Sequence, residues 1–228
     1  MATGLRSRAY FKKYDGVKLS GKNYRHSNNI NNTNNPDNTD LDEILAIQKT
    51  LQGNKESFSI IVQKYAPIFY TLSYRILGNA EDAEDAVQEI FLRVYKSLTS
   101  FRLGQRFYPW IYTIAINCIR TFLKRKKRRS DNEMLQFETS LPGSSPENET
   151  RNPSVILEVK EGEKIAQKAI ISLKPKYREV FVLRHIEGLS TSDVAEILNI
   201  PEGTVKTRLH RAKKEIIKQL FNKGWTNK

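Results

Sequence analysis

Lys206, Thr207, Arg208, His210 and Arg211 crowd into one short stretch, and their side chains can donate to guanine acceptors in a major groove and neutralise phosphates. Such chemistry works only from a helix that is apolar on its other side. At 100° per residue, Val205, Leu209, Ala212, Ile216 and Leu220 fall on one stripe. Thr207, His210, Arg211, Lys214 and Lys218 lie opposite, flanked by Lys206 and Arg208. Before it, Ser190 suits an N-cap for a short helix whose inner face is Val194, Ala195 and Leu198. Asn199 tolerates the left-handed conformation a turn requires, and Pro201 stops the first helix from continuing. Lys174-Pro175 opens a further helix with Tyr177, Val180, Phe181 and Leu183 as apolar mass, closed by Gly188. The pattern predicts a helix-turn-helix in a bundle of about four helices. Charge on a helix often only meets solvent; here turn, caps and one-sided charge coincide, which favours DNA.

A second cationic set precedes it. Thr113, Asn117, Arg120, Lys124 and Lys127 form one polar stripe on a helix expected from Pro109 to about Lys127 that is otherwise apolar nearly all round. Trp110 stands at its edge, the loop Phe101 to Tyr108 pairs aromatics with Arg102 and Arg106, and a basic run follows from Lys124 to Arg129. Aromatics beside cations suit unpaired bases, which need stacking and backbone neutralisation together. Phe101, Phe107 and Trp110 also suit an ordinary core, and for Phe107 the core is the better reading. Upstream helices are expected from Leu41 to Leu51, from Lys55 to Leu77 with a kink or break at Pro67, and from Glu81 to Leu98. Gly78 suits a C-cap, and Glu81 and Asp82 suit the next N-terminus. In the Glu81 to Leu98 helix, Val87, Ile90, Phe91, Val94 and Leu98 make the inner seam, while Asp85, Gln88, Glu89 and Leu92 cluster outside. A Leu set among acids on a basic protein is a poor DNA surface but a compact protein anchor; a bland exposed Leu fits equally.

The 228 residues carry 39% hydrophobic content, a net charge of +13 and a pI near 9.7, which favours a polyanionic partner. Net charge is +4 over residues 1–40, +7 over 41–130, −4 over 131–153 and +6 over 154–228, so basic blocks flank an acidic connector. Cys118 lies in an apolar run and reads as core; a single Cys builds no disulfide framework, in keeping with a reducing cytoplasm. No apolar run reaches membrane-span length, and no signal-peptide core opens the chain. His26, His185 and His210 show no metal-ligand spacing with Cys118, so neither metal nor cofactor is expected. Residues 1–40, basic and dense in Asn, read as a disordered tail, and 130–154 as a flexible acidic linker with Pro142, Gly143, Pro146 and Pro153. The domains are therefore 41–129 and 155–222, with a short tail at 223–228. The fold class is all-α, two small helical domains.

Three segments carry a strong resemblance to the sigma-70 family of bacterial transcription initiation factors, in its two-domain extracytoplasmic function (ECF) subgroup. They are Ala83 to Leu92, Phe101 to Arg125, and Pro201 to Ala212. The resemblance implies that Asp85, Gln88, Glu89 and Leu92 dock on the clamp helices of the polymerase β′ subunit, with a second contact to the β flap. Phe101, Arg106, Trp110, Asn117, Arg120 and Lys124 would open the minus-ten promoter element and hold a flipped base. Lys206, Thr207, Arg208, His210 and Arg211 would read the minus-thirty-five element. The acidic linker would thread toward the RNA path. Thr121 stands where many members have Asp, and His210 occupies a variable position, so base preference does not transfer. The expected protein is a cytoplasmic subunit that binds core RNA polymerase and promoter DNA, performs no chemistry itself, inserts into no membrane and is open to sequestration by an anti-sigma factor. A free-standing helix-turn-helix regulator would need a sensor or dimerisation domain, which the N-terminal block does not resemble. A nucleic-acid enzyme would need clustered carboxylates, a phosphate-cradling Gly loop or a nucleophile with its base, and none is evident.

Overall fold

The computed structural model describes residues 41–136 and 154–221, with side chains over 42–128 and 162–220. The expected N-terminal tail, most of the expected linker and the C-terminal tail lie outside the described residues. Within them the chain is all-α. The helices are α1 (Leu41–Leu51), α2 (Phe58–Leu77, entered through a 3-10 turn at Lys55–Ser57), α3 (Ala80–Ser97), α4 (Phe107–Gln136), α5 (Ser154–Ser172), α6 (Pro175–Phe181), α7 (Thr191–Leu198) and α8 (Glu202–Phe221). Extended pairing among the described residues is limited to one isolated bridge, Leu103 to Gln105.

The caps act much as their residue types predict. Asn79 accepts a hydrogen bond from the Asp82 amide at 3.0 Å and starts α3, with Glu81 and Asp82 in the first turn where the helix dipole favours negative charge. Gly78 ends α2 at φ 77°, a conformation costly to any residue with a Cβ. Two expectations are corrected. Of the kink or break expected at Pro67, the break does not occur, since α2 runs continuously through it. Ile61, Val62, Tyr65 and Ala66 before it, and Phe69, Leu72 and Ile76 after it, all enter one core whose packing outweighs the lost hydrogen bond. The helix α4 begins at Phe107 and continues to Gln136, taking in the first residues read as linker. Pro109 sits in its first turn, where its missing N–H goes unused, and no Gly or Pro occurs from there to Pro142 to stop the helix earlier.

The helices α1 to α4 pack around Phe69, Phe91, Phe107, Tyr112 and their aliphatic neighbours, all buried. As expected, Cys118 belongs to this core, and burial pushes its thiol up to about 11. The second unit, α5 to α8, buries Val180, Leu183, Val194, Leu198, Val205 and Ala212. The two units do not stand apart. One apolar cluster runs through both, and the joint is centred on the C-terminus of α2. The last carbonyls of a helix lack partners within it, and here the second unit supplies them. Gln167 of α5 donates to the Tyr74 carbonyl at 3.0 Å and accepts from Arg75 at 3.0 Å. Buried Arg178 of α6 donates to the Ile76 carbonyl at 2.7 Å, to that of Leu173 at 2.9 Å and to that of Ile171. Ile171 also closes over Gly78 so tightly that a Cβ there would meet its Cδ1 at 2.8 Å.

Arg178→Met keeps the apolar stem but strips three carbonyls of their donor. We expect urea unfolding to show a loss of about 2–4 kcal/mol. A loss within experimental error would show that those carbonyls need no partner from α6.

Candidate nucleic-acid interface

The helix-turn-helix follows its residue chemistry. Ser190 accepts from the Asp193 amide at 3.0 Å while Asp193 accepts from the Ser190 amide at 3.3 Å, a reciprocal capping box. Asn199 adopts the left-handed conformation at φ 52°, ψ 55°, and the Ile200 amide reaches back to the Ala195 carbonyl at 3.0 Å. Val205 and Ala212 are fully buried, while Leu209, Ile216 and Leu220 are half-buried on the same stripe. Lys206, Thr207, His210, Arg211, Lys214 and Lys218 are exposed on the other side and Arg208 is half-buried. The Arg211 guanidinium donates to the Tyr177 hydroxyl at 3.3 Å, which aims it from α8 across α6.

The helix α4 presents the second cationic set. Asn117 and Lys124 are exposed and Trp110 is half-buried. Phe101 is placed differently from expectation. It is 7% exposed, its ring 5.2 Å from Phe107 and 5.1 Å from Trp110, so it backs Trp110 from the core rather than offering a stacking surface of its own. Phe107 is fully buried, as expected. The cations are paired across the joint. Arg120 donates to both Glu179 oxygens at 2.9 and 2.8 Å and to Asn117 at 3.3 Å. Arg106 pairs with Asp193 at 2.6 Å and Glu196 at 3.3 Å. The hydrogen bond to Glu179 holds the Arg120 guanidinium still more firmly charged, and the Ser190 and Arg106 partners hold Asp193 below the usual carboxylate range against its burial.

The acidic cluster of α3 lines a groove of about 440 Å³ together with residues of α4: Asp82, Asp85, Gln88, Glu89, Leu92, Phe122, Arg125 and Lys126. Leu92 is half-buried in this groove rather than projecting freely. The face is also less acidic than α3 alone suggests, because Arg93 pairs with Glu89 at 2.8 Å and Lys126 with Asp82 at 3.0 Å. Phe122, Arg125 and Lys126 escaped sequence reasoning because they lie on another helix.

The acids Glu179 and Glu187 were also missed as partners of α4, and Asp193 and Glu196 as partners of Arg106 just before it. Glu187 is 3% exposed, accepts from the Tyr112 hydroxyl at 3.3 Å and leaves its other oxygen without a partner. Burial pushes its carboxyl up to about 7, against the opposing pull of Tyr112 and of Arg75. A carboxyl raised in the folded state stabilises the fold below its ordinary range, and that contribution is lost as pH rises through the folded value. The melting temperature should therefore fall between about pH 4.5 and pH 7 and level off above, and Glu187→Gln should flatten this dependence. Equal slopes in wild type and variant would exclude Glu187 as its source.

Two helical units, one with a helix-turn-helix bearing an exposed cationic ridge and the other with a cationic helix beside aromatics, have the form of a nucleic-acid-binding protein. Residues 61–129 match the family described as Sigma-70 region 2, and residues 163–216 match Sigma-70, region 4. The chain is 38% identical over 183 residues to the ECF RNA polymerase sigma factor SigW of Bacillus subtilis, covering 76% of this chain and 94% of that one. It is 32% identical over 178 residues to the ECF RNA polymerase sigma-E factor of Escherichia coli K12, covering 77% and 92%. Among solved structures, the fold is similar to that of the sigma factor RpoE of Bartonella quintana, solved with the anti-sigma factor NepR, with a TM-score of 0.54 at 22% identity over 72% of this chain and 97% of that one. It is similar also to CnrH, solved with the cytosolic domain of CnrY, with a TM-score of 0.56 at 20% identity over 79% and 98%. The chain belongs to the sigma-70 family, as a promoter-directing sigma factor of the ECF type.

Proposed function

We propose that the three surfaces divide the work of initiation. The groove between α3 and α4, with Leu92 as its apolar anchor and Asp85, Gln88 and Glu89 around it, receives the clamp helices of core polymerase β′, and the second unit meets the β flap. Arg106, Trp110, Asn117, Arg120 and Lys124 hold the opened minus-ten strand, with Phe101 buttressing Trp110. Lys206, Thr207, Arg208, His210 and Arg211 read the minus-thirty-five element from the major groove. The chain makes and breaks no covalent bond in this reading. The binding energy of captured bases offsets the few kcal/mol that unstacking each one costs. The observation that carries the proposal is α8, where the turn and caps fix a helix whose cations face solvent while Val205 and Ala212 anchor it from behind.

No helix among the described residues is long and apolar enough to cross a membrane; a cytoplasmic location for the chain is supported by its similarity to factors of bacterial RNA polymerase. Two similar folds were solved bound to an anti-sigma factor or to a cytosolic domain, which supports a sequestering partner for this chain as well.

Mixing the purified chain with bacterial core polymerase should give co-elution on gel filtration and run-off transcripts from defined genomic sites. DNA binding without core association would replace this reading with a free-standing regulator. Leu92→Arg should abolish co-elution while the chain keeps its affinity for duplex DNA; loss of both would remove the α3 groove from the docking role. Arg211→Ala should relax promoter preference, whereas Lys218→Ala should weaken all duplexes alike and lower the salt slope by about 1. Identical effects of the two would refute the division between base reading and phosphate contact.

A further inference from the structure

Arg211 is held in a different way from the other arginines that face a proposed DNA surface. Arg120 gives its fork to both oxygens of Glu179, and Arg106 is paired with Asp193 and Glu196. Arg211 instead donates from Nη1 to the neutral Tyr177 hydroxyl at 3.3 Å, and among the described residues no ion pair reaches it. A guanidinium carries five N–H donors, so one bond to a hydroxyl leaves four. The Nε–Nη2 edge stays whole, and that edge matches the O6 and N7 acceptors of guanine in a major groove. The tyrosine is a fixed support. It is 6% exposed and packs with Leu173 and Ala212 in a small apolar cluster, with Phe181 and Ile216 beside it. Ala212 adjoins Arg211 on α8, so the ring is anchored next to the side chain its hydroxyl holds. The hydrogen bond from Arg211, helped by the charges of Lys176 and Lys174, holds the phenol below its ordinary range. Lys176 lies over the same ring, its Nζ 5.2 Å from the centroid. These lysines repel the guanidinium and the hydroxyl attracts it.

We propose that Tyr177 is a positioning residue for sequence recognition: from α6, outside the helix-turn-helix, its hydroxyl holds Arg211 with the Nε–Nη2 edge free for a base edge of the minus-thirty-five duplex. This rests on the assignment of α8 to that duplex. A long side chain that docks on a base gives up rotamer freedom. One already held by a rigid partner gives up less, and the gain falls on the matched base, where the fork is used. On a mismatched site the arginine has no pair of acceptors to meet, so its orientation brings little. The hydroxyl therefore contributes to discrimination between bases rather than to affinity for DNA at large.

The test loads the full chain on bacterial core polymerase and offers it fragments of one run-off promoter with the minus-thirty-five positions randomised, the bound fragments being sequenced. Tyr177→Phe keeps the ring and its packing and removes only the hydroxyl. Arg211→Ala should flatten the base preference at the positions it reads by about tenfold. Tyr177→Phe should flatten the same positions by about threefold, with an unchanged melting temperature and unchanged binding to fragments mismatched there. The double variant should equal Arg211→Ala alone, because the hydroxyl acts only through the arginine. A Tyr177→Phe chain that keeps its preference while Arg211→Ala loses it would overturn the proposal. So would one that weakens every fragment alike and adds to Arg211→Ala, which is what a merely structural hydroxyl would do. If Arg211→Ala itself leaves every preference intact, the assignment of Arg211 to base reading falls, and the role of Tyr177 with it.

Discussion

The end of α2 is the place on which the rest of the arrangement depends. A helix finishing inside a protein leaves carbonyl groups that cannot face an apolar wall unpaired. In this chain Gly78 turns the backbone away at φ 77°, and Gln167 and Arg178 of the second unit supply the donors. Arg178 places a cation at the negative pole of the α2 dipole while also tying down Ile171 and Leu173 of its own unit. Burial works against its charge, and the three carbonyls compensate for the water it gives up. Because the same guanidinium completes both units, their relative placement is set by hydrogen-bond geometry as well as by apolar contact.

From that joint the electrostatics follow. Once α5 and α6 are seated on the end of α2, α6 and α7 lie along α4, and their acids meet Arg106 and Arg120. Half-buried ion pairs of this kind add little net stability, because desolvation costs roughly what the Coulomb attraction returns. Their effect is on specificity: a bidentate Arg120–Glu179 pair tolerates one orientation of the two units and disfavours others. Glu187 shows the opposing limit, a carboxyl with one donor and too little solvent, held near neutrality by burial. Meanwhile the groove between α3 and α4 and the ridge of α8 are built from other residues, so neither is consumed by the packing of one unit on the other. Both surfaces therefore stay open while the α4 face is covered.

Residues whose roles depend on their neighbours along the chain are legible in the sequence alone. Ser190 and Asp193, Asn199, Gly78, and the stripe from Val205 to Leu220 are local commitments, fixed by cap geometry, left-handed backbone and the helical period, and they stand where those rules place them. The composition of α4 announces its burial, and that of the run around Cys118 its place in the core. Three collinear segments are enough to place the chain in its family, because each couples a local element to a chemistry. Phe101, Leu92 and Pro67 are harder to read. Their spacing along the chain says nothing of what stands across from them: Trp110 and Phe107 over Phe101, Phe122 beyond the groove from Leu92, and a core on both sides of Pro67 strong enough to hold the helix together.

What the sequence by itself determined, then, was the set of helices, the turn that joins α7 and α8 into a helix-turn-helix, the sign of the charge on each face and the family. What only the tertiary structure decided was which charges are free. Arg106 and Arg120 look the same in the sequence as Lys124, but the first two face acids some sixty to ninety positions away, at separations over which no local rule operates, while Lys124 is exposed to solvent. Helical period and capping act within a few residues, through backbone bonds of fixed reach. Pairing across the joint depends on how two complete units settle against the end of α2, and that is a property of their surfaces in three dimensions.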